Sequence, residues 1–485
     1  MLFNSLNFAI FLPIIYCLYW FVTNKNLKIQ NILLLISSYF FYACWDWKFM
    51  FLLIFSAFLD YFTGLKMYEN PKNKKFWFWS SIFINIGFLG VFKYFNFFVN
   101  TFSDLVSSFG LQVNTFTLNV ILPIGISFYT FHGLSYVIDI YYERIKPEKN
   151  YIDYSVFVCF FPLLVAGPIE RATHLLPQIK KVRVFNYEKT VDGLRQILWG
   201  LFKKIVIADQ CAEIVNPIFN DYASFSGSTL VVGAVLFAFQ IYGDFSGYSD
   251  IALGVAKLFG IDLLKNFAFP YFSRDIAEFW RRWHISLSTW FRDYLYIPLG
   301  GSKGGIWVKI RNIFIIFIVS GFWHGANWTF IVWGLLNAIF ILPSIIFKTN
   351  RNNIDIVAYN RVLPNLKEFL SIIITFSMTV FAWIFFRSST LTDALKYIKI
   401  IFSKSIFQFP DPPRDSILGI STFLILIFLL TVFVLIEWSG RKKDFAISQL
   451  EIVLNKKFRY IFYYSTIFLI LFFAGSDKEF IYFQF

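Results

Sequence analysis

Residues 313–340 read IFIIFIVSGFWHGANWTFIVWGLLNAIF and contain no Asp, Glu, Lys or Arg. About 20 apolar residues are enough for a helix to cross the hydrocarbon core of a bilayer, so this run is long enough to be a membrane segment. It holds one ionisable side chain, His324. Because an ionisable group inside a membrane segment is costly, His324 is a candidate for function.

The rest of the chain has the same apolar character. Of its 485 residues, 57% are hydrophobic and only 15% are charged, and a soluble protein of this size has too little interior to bury so much apolar side chain. We therefore predict an all-α polytopic membrane protein with about eleven to thirteen membrane helices. Some of these are expected to be re-entrant, because the apolar segment Ser155–Ala166 is too short to span and ends at Gly167-Pro168. No separate soluble domain is indicated, so residues 1–485 are expected to form one membrane domain.

The formal charge of +14 is explained by membrane topology rather than by nucleic-acid binding. Basic residues flank the cytoplasmic ends of membrane helices, and here they follow the first, third and fifth apolar segments, whereas the intervening turns contain few. This alternation predicts a multi-pass protein with its N-terminus outside. The basic residues concerned are Lys25, Lys28, Lys66, Lys72, Lys74, Lys75, Arg144, Lys146 and Lys149.

Two later segments depart from a simple membrane-spanning pattern. The segment Val191–Cys211 carries Lys203 and Lys204 in its middle and is therefore expected to lie along the inner membrane surface. The longer segment Thr229–Phe259 is interrupted by Gly243 and Gly247.

Two carboxylates lie in this second segment. Asp244 and Asp250 are interpreted either as interhelical hydrogen-bond partners or as groups on a bent helix that lines a tunnel. The residues alone leave both interpretations open.

Residues 273–299 read SRDIAEFWRRWHISLSTWFRDYLYIPL and have helical periodicity. One face collects Trp280, Trp283, Leu287, Trp290, Phe291 and Tyr294, and the opposite face collects Asp275, Glu278, Arg282, Ser286 and Asp293. The simplest prediction is one amphipathic helix at the membrane interface, with an aromatic face toward the lipid. His284 falls at the margin between the faces. The density of opposite charges is left unexplained by that interpretation, because the rest of the chain is poor in charge.

Histidine is among the scarcest residues: the chain has four, namely His132, His174, His284 and His324. No two have the i, i+4 spacing that holds a metal on a helix, and HExxH, GxSxG and P-loop motifs are absent. No metal site is therefore predicted. An imidazole can take a proton from a hydroxyl and return one to a leaving group, which is most of what acyl transfer from a thioester requires. His324 is the expected base, His284 could orient it or the acceptor, and Gly321 and Gly325 would allow close approach to its backbone.

Five ordered motifs resemble the membrane-bound O-acyltransferase family, and the match extends along essentially the whole chain. FWRRWHISLSTWFRDYLYIPLGG (residues 279–301) and SGFWHGANW (residues 320–328) are similar to the family signature. LPIGISFYTFHGLSYVIDIY (residues 122–141), FPLLVAGPIER (residues 161–171) and YGDFSGYSDIALG (residues 242–254) resemble the bacterial branch that includes alginate O-acetyltransferases. The ending FIYFQF (residues 480–485) is also similar to alginate-type proteins. Peptidoglycan O-acetyltransferases and the D-alanyl transfer protein of teichoic acids are relatives.

The resemblance implies a ring of helices around a thin central region, with a tunnel that joins the two sides and a catalytic core in residues 271–347. It matches His324 to the catalytic histidine and His284 to the other histidine (or asparagine) of the active site. His132 departs from the family pattern, because glutamine is more usual in its position, and its role is open. The residues expected to bind substrate are Trp283, Arg281, Asp293, Tyr294, Asp244, Tyr248, Trp323 and Asn327.

The resemblance also implies the substrates and partners. We expect no bound cofactor and a donor that is acetyl-CoA or another acyl thioester, used at the bacterial cytoplasmic (inner) membrane. The acceptor would be an exported, alginate-like polysaccharide or a cell-wall polymer, and an extracytoplasmic SGNH-like acyltransferase would complete the transfer. Membrane lipid is the other expected partner. The alternatives are peptidoglycan O-acetylation, D-alanyl transfer to teichoic acid and, from other classes, a membrane transporter or a structural scaffold for a secretion complex.

Overall fold

The computed structural model describes residues 1–111, 116–118, 121–165, 167–411, 419–475 and 480, without the side chains of residues 419–422. Ala166 and all of the ending FIYFQF except Phe480 therefore lie outside the described residues. The described residues form helices joined by turns and contain no strand, which confirms the all-α class. They divide into two compact units, one of residues 1–190 and 255–264 and the other of residues 191–254 and 265–485.

The helices of the first half of the chain lie before His284 and His324 in the sequence. In chain order they are α1 (Leu6–Cys17), α2 (Leu27–Ala43), α3 (Trp47–Glu69), α4 (Lys74–Leu89), α5 (Phe95–Ser108), α6 (Ile126–Tyr141), α7 (Tyr151–Cys159), α8 (Phe161–Leu164), α9 (Ala172–Ile179), α10 (Tyr187–Leu201), α11 (Asp209–Asn220) and α12 (Gly227–Leu258).

The remaining helices include those that carry the two histidines. They are α13 (Ile276–Arg282), α14 (Ile285–Phe291), α15 (Gly305–His324), α16 (Trp328–Ile346), α17 (Leu366–Arg387), α18 (Leu391–Ile401), α19 (Gly419–Gly440), α20 (Leu450–Val453) and α21 (Lys456–Phe473).

Seven helical segments of the described chain are long and apolar enough to cross a membrane. They are Trp47–Glu69, Pro71–Ser108, Gly227–Leu258, Gly305–His324, Trp328–Ile346, Leu366–Arg387 and Phe423–Gly440. Two shorter apolar segments, Leu6–Val22 and Leu27–Ala43, add to them. The prediction of a polytopic membrane protein is confirmed. The expected eleven to thirteen segments included short and re-entrant ones, which length and apolarity alone do not identify.

The apolar segment that is too short to span forms the helices α7 and α8, which are separated by Phe160. Ser155, Phe157 and Leu163 are fully buried, so protein covers this segment as a non-spanning backbone requires. At the break, the backbone N–H of Phe161 donates to the hydroxyl of Ser38, 3.0 Å away. The sequence did not predict this break at Phe160, and the re-entrant path of the segment through the bilayer stays a prediction.

The run of residues 313–340 is two helices rather than one crossing. Helix α15 ends at His324, and the side chain of Asn327 accepts the backbone N–H of Thr329 at 3.0 Å and so caps α16. A Cβ on Gly321 would lie 2.2 Å from the carbonyl oxygen of Phe330, so the close backbone approach expected at Gly321 is confirmed. The expectation that His324 lies within a single crossing is wrong, because the Asn327 cap starts a new helix.

The predicted single amphipathic helix of residues 273–299 is also wrong, because the chain breaks between α13 and α14. Trp283 has an extended conformation, and His284 has φ 44° and ψ 54°, in the left-handed region. Both predicted faces contribute buried side chains: Trp283 and Glu278, from opposite faces, are each only 1% exposed. The chain on either side of the break is therefore largely part of the protein core, with Arg281 exposed.

The charges of this segment bind a loop to the core. Glu278 accepts hydrogen bonds from Arg274 and from Arg282, at distances of 2.7 to 3.1 Å. Arg274 also bonds the carboxylate of Asp355 at 2.9 Å, in the loop between α16 and α17. Because a buried carboxylate needs such partners, these pairs explain the charge density that the sequence pattern left open.

Lys203 and Lys204 do not lie on an exposed surface as expected. They belong to a π-helical turn, Phe202–Ala208, and are 3% and 1% exposed. The ammonium of Lys203 lies 2.5 Å from the carboxylate of Asp250, and that of Lys204 lies 2.7 Å from Asp244. The sequence interpretation failed because it placed the lysines in lipid or water, whereas carboxylates of another helix neutralise them.

The glycines of the segment Thr229–Phe259 permit close packing and do not interrupt the helix. Helix α12 is continuous over 32 residues. A Cβ on Gly247 would lie 2.8 Å from the carbonyl oxygen of Gly200, and one on Gly243 would lie 2.9 Å from that of Lys203. The expected interruption is therefore wrong. The same glycines bring α12 close enough to the π-helical turn for its carboxylates to reach the two lysines.

Candidate active site

The two histidines of the second unit lie at the ends of helices. His284 occupies the break before α14, and His324 is the last residue of α15. Both imidazoles are buried, with 1% and 4% of their surface exposed. At a helix end, a side chain need not follow the helical repeat, so residues of other elements can pack around it. Both positions therefore suit a site that several elements form together.

Trp323 brings the two histidines into one site. Its ring centroid lies 4.9 Å from that of His324 and 6.0 Å from that of His284, nearly edge-on to both. The two imidazoles therefore cannot be farther apart than the sum of these two distances. Sequence analysis could name both histidines but could not say that they meet; in the structure the indole of Trp323 contacts both.

A wall of aromatic rings encloses His324. Trp333 of α16 lies 5.1 Å from it and Phe386 of α17 lies 5.4 Å from it, both edge-on. Trp383 stacks on Trp333 at 5.6 Å and contacts Trp283 at 5.2 Å. Because apolar rings exclude water, a proton moved by His324 would pass to a bound substrate rather than to solvent.

His284 is neutral in its environment. Burial lowers the pKa of its imidazole to about 3, so at physiological pH the ring carries no charge. Neither of its ring nitrogens has a hydrogen-bond partner among the described residues. A buried polar group without a partner costs free energy, and a substrate group that reached His284 would supply the missing hydrogen bond. This arrangement favours an orienting role for His284.

Helix α12 is held against the π-helical turn beside His284. The ring of Phe245 lies 4.7 Å from the imidazole of His284. The preceding residue, Asp244, and the later Asp250 form the ion pairs with the two buried lysines described above. These pairs fix α12 and with it the wall that Phe245 presents to the histidine.

Four of the residues expected to bind substrate lie at the centre of this site or on α12. Trp323 contacts both histidines, and Trp283 packs within the aromatic wall. Asp244 forms an ion pair with Lys204. Tyr248 is fully buried, and the ammonium of Lys204 lies 5.8 Å from the centre of its ring. The structure thus brings Trp323 and Trp283 to the histidines and gives Asp244 an ion pair. Their roles toward substrate stay predictions.

Two others of that set make structural contacts. Arg281 is exposed, and its guanidinium donates to the backbone carbonyls of Asn350 and Asn353, both at 2.8 Å. Asn327 caps α16 and also donates to the carbonyl of Ser389 at 2.9 Å. These bonds connect loops to helices, and substrate binding by either residue remains a prediction.

The last two lie on a π-helical turn, Arg292–Tyr296, that follows α14. The carboxylate of Asp293 accepts a hydrogen bond from Arg292 at 2.7 Å, and the ring of Tyr294 lies 5.0 Å from that of Trp290. Neither interaction involves a histidine. Their expected contact with substrate likewise stays a prediction.

The other two histidines belong to the first unit. His132 is fully buried on α6, with its ring 6.0 Å from that of Phe157. His174 on α9 lies 2.9 Å from the carboxylate of Glu170 through Nδ1. The described contacts of these two histidines are all within the first unit.

Sequence reasoning missed several residues that shape the site. Trp333, Phe386 and Phe245 contact a histidine, but their positions on apolar helices are those of ordinary core residues. Lys203 and Lys204 gave a signal, since two adjacent lysines inside an apolar segment need partners. That signal was assigned to the membrane surface instead of to the carboxylates of α12.

The left-handed backbone of His284 gives a testable expectation. Asparagine adopts this conformation readily, whereas a β-branched residue is strained in it. We expect His284→Val to lower the free energy of unfolding by about 1–3 kcal/mol relative to His284→Asn. Thermal unfolding of the two purified variants in the same detergent measures the difference. Ser288→Val and Ser288→Asn, four residues along in ordinary helical conformation, control for the intrinsic difference between the two side chains, and equal stability of the two His284 variants would show that the conformation is not strained.

Comparison with known proteins identifies the family. The model of the membrane-bound O-acyltransferase family matches residues 142–386, which include both His284 and His324. The chain is 37% identical to the probable alginate O-acetylase AlgI of Pseudomonas aeruginosa over 438 residues, which are 89% of this chain and 81% of that protein. It is 36% identical to the peptidoglycan O-acetyltransferase of Helicobacter pylori (82% of this chain and 79% of that protein) and 29% identical to the teichoic acid D-alanyltransferase of Bacillus subtilis (55% and 69%).

Proposed function

This chain belongs to the membrane-bound O-acyltransferase family and is a multi-pass membrane O-acyltransferase, and we propose that it passes an acetyl group from a cytoplasmic thioester toward the hydroxyl groups of an exported, alginate-like polysaccharide. The observation that carries the proposal is the pair of buried histidines that one indole contacts within an aromatic wall. The similarity to alginate O-acetylases over most of the chain supports the acetyl group and the polysaccharide.

The chemistry assigned to His324 is general base and then general acid catalysis. Its neutral imidazole removes the proton of an acceptor hydroxyl as that oxygen attacks the thioester carbonyl. The tetrahedral intermediate collapses, the carbon–sulfur bond breaks, and the imidazolium returns the proton to the thiolate. His284 donates or accepts one hydrogen bond that orients the reacting groups. No covalent intermediate on the protein is needed.

The donor and the orientation are further parts of the proposal. Acetyl-CoA or another acyl thioester is made in the cytoplasm, and the alternation of basic loops supports an N-terminus outside the bacterial inner membrane. The acceptor polymer is outside, so an extracytoplasmic SGNH-like acyltransferase would finish the transfer. A tunnel past the histidines would let the acceptor hydroxyl reach the thioester carbonyl from outside, so that the acyl group changes carrier while the thiol stays inside.

A second candidate acceptor is the cell wall. The similarity to the peptidoglycan O-acetyltransferase of Helicobacter pylori extends over 82% of this chain, nearly as far as the similarity to the alginate proteins. The likeness to the teichoic acid D-alanyltransferase of Bacillus subtilis is weaker, at 29% identity over 55% of the chain. Peptidoglycan is therefore the stronger alternative.

The test is the amount of base-labile acetate on two polymers. Cells that lack this chain and cells that express it again would be compared for ester on exported polysaccharide and on purified cell wall. Ester that is lost and restored on the polysaccharide alone supports the proposal. Loss from the wall alone identifies peptidoglycan as the acceptor. If acetate is unchanged in both fractions of a strain without a second homologue, the acetyl proposal is wrong.

A further inference from the structure

A polar cavity of about 490 Å³ lies in the first unit, distant in sequence from the two histidines of the active site. This volume is within the about 300–1,000 Å³ that is typical of small-molecule sites. Its polar lining consists of His174, Gln178, Lys181, Arg183, Lys189 and Asp262. We call it the basic cavity.

The basic cavity has more positive than negative charge. Asp262 is its one acidic lining residue, and its carboxylate lies 2.8 Å from the ammonium of Lys189. Lys181 and Arg183 have no carboxylate at ion-pair distance among the described residues. These two cationic side chains therefore make no direct ion pair within the described part of the chain, and Arg183 has only the more distant charge of Asp153 and the ring of Tyr19, 5.5 Å from its guanidinium, to offset its charge.

Of the two side chains Lys181 and Arg183, only Arg183 is buried. Only 7% of it is exposed, yet its Nε–H has no acceptor among the described residues. Its other guanidinium nitrogens donate to the side chain of Asn31 and to the carbonyl of Ile179. Burying a guanidinium without a carboxylate is costly, and an anion in the cavity would offset that cost.

The wall of the cavity is built by fixed hydrogen bonds. Gln178 donates to the carbonyl of Asp262 and accepts its backbone N–H, at 2.9 and 2.8 Å, which joins α9 to the segment after α12. Glu170 holds Nδ1 of His174 at 2.9 Å and accepts the N–H of Leu264. This bond to Glu170 raises the pKa of His174, which favours the positively charged imidazole in the lining.

The rim of the cavity combines these cations with exposed apolar side chains. Val182 and Val184 line the cavity with 64% and 78% of their surfaces exposed, and Phe185 follows them, half exposed. Alternation of basic and exposed apolar residues is typical of segments that lie at a membrane interface. By the proposed orientation, the cavity opens at the cytoplasmic face, where phosphate-bearing donors and anionic lipids are both present.

We propose that the basic cavity binds a phosphate group, through Lys181, Arg183 and the imidazolium of His174. Arg and Lys side chains are the usual ligands of phosphate in proteins. The phosphate has two possible sources, the coenzyme A moiety of the donor or an anionic phospholipid headgroup. The coenzyme A source rests on the proposed function, whereas the lipid source does not.

The experiment uses the full-length protein in nanodiscs. Coenzyme A binding is measured in nanodiscs of neutral phosphatidylcholine, and retention of phosphatidylglycerol is measured by native mass spectrometry after purification from mixed vesicles. Lys181→Glu is the test variant because Lys181 is exposed and the change leaves the bonds of Arg183 intact. We expect it to weaken binding of one of the two ligands by about tenfold or more.

Two further variants make the result specific. Lys181→Arg keeps the charge and should restore binding, and Lys25→Glu makes the same charge reversal at an exposed lysine outside the cavity and should have no effect. Loss of coenzyme A binding identifies the donor as the source, and loss of phosphatidylglycerol identifies the lipid. Unchanged binding of both ligands in Lys181→Glu overturns the proposal. Ester formation by the wild-type chain is assayed separately, so that phosphate binding without ester formation refutes the proposed acyl transfer and leaves the cavity assignment intact.

Discussion

Replacing His324 with glutamine is expected to lower the rate of acyl transfer by about 10²–10⁴-fold, the usual contribution of a positioned general base. Glutamine can keep a hydrogen bond in the aromatic wall but cannot accept and return a proton. The measurement is thiol release from acetyl-CoA by purified protein in nanodiscs, with the polymer that ester analysis identifies as acceptor and with the extracytoplasmic acyltransferase that completes the transfer. A variant with full activity would remove His324 from the catalytic step.

His132→Gln is the matched control for this prediction. It makes the same chemical change at another buried histidine, in the first unit, and the resemblance to the family predicts glutamine at this position. We expect this variant to retain transfer close to the wild-type rate. Equal losses in both variants would indicate a general effect of removing a buried imidazole, and base catalysis by His324 would then lose its support.

Removal of the ammonium group of Lys204 is expected to be the most destabilising change in the second unit. Lys204 is 1% exposed and lies 2.7 Å from Asp244 and 2.9 Å from Asp209. Lys204→Met leaves both carboxylates without their cation, and breaking a buried ion pair in this way costs about 3–5 kcal/mol. Thermal unfolding of the purified variant in detergent gives the comparison with wild type.

The control for Lys204→Met is Lys303→Met, which removes an exposed lysine of the same unit. Surface substitutions of this kind are usually within about 0.5 kcal/mol of wild type. The double variant Lys204→Met/Asp244→Leu should recover part of the loss, because one of the two carboxylates that lost the Lys204 ammonium is also removed. If Lys204→Met is as stable as Lys303→Met, the ion pair does not hold α12 in place.

Sequence alone was sufficient for the class of protein, and it singled out the two histidines that Trp323 contacts, whose catalytic roles stay predictions. The composition required a membrane interior, and scarcity made His324 conspicuous within an apolar run. What the sequence pattern could not supply was the break at His284. The hydrophobic period of 3.6 residues continues across residues 273–299. The break comes from the left-handed backbone conformation of His284, which nothing in the local sequence signals.

The other failures came from partners that are distant in the chain. Lys203 and Lys204 look like surface residues until Asp244 and Asp250 are placed beside them, and this placement depends on the close approach of Gly200 and Gly247. Likewise, Trp323 contacts His284 only because α15 and the α13–α14 break lie together. Hydrophobic periodicity describes one helix at a time, so it could not predict contacts between helices.

The ion pairs of α12 also bear on how this chain is inserted during synthesis. Asp244 and Asp250 lie in a candidate membrane span, and a carboxylate at the centre of such a helix opposes its transfer from the translocon into lipid by about 2.5–3.5 kcal/mol. The two lysines that neutralise them lie upstream in the sequence and so leave the ribosome first. Helix α12 therefore meets its counter-charges as it emerges, and the two segments can enter the bilayer together with the carboxylates of α12 already paired, where α12 alone would be held back.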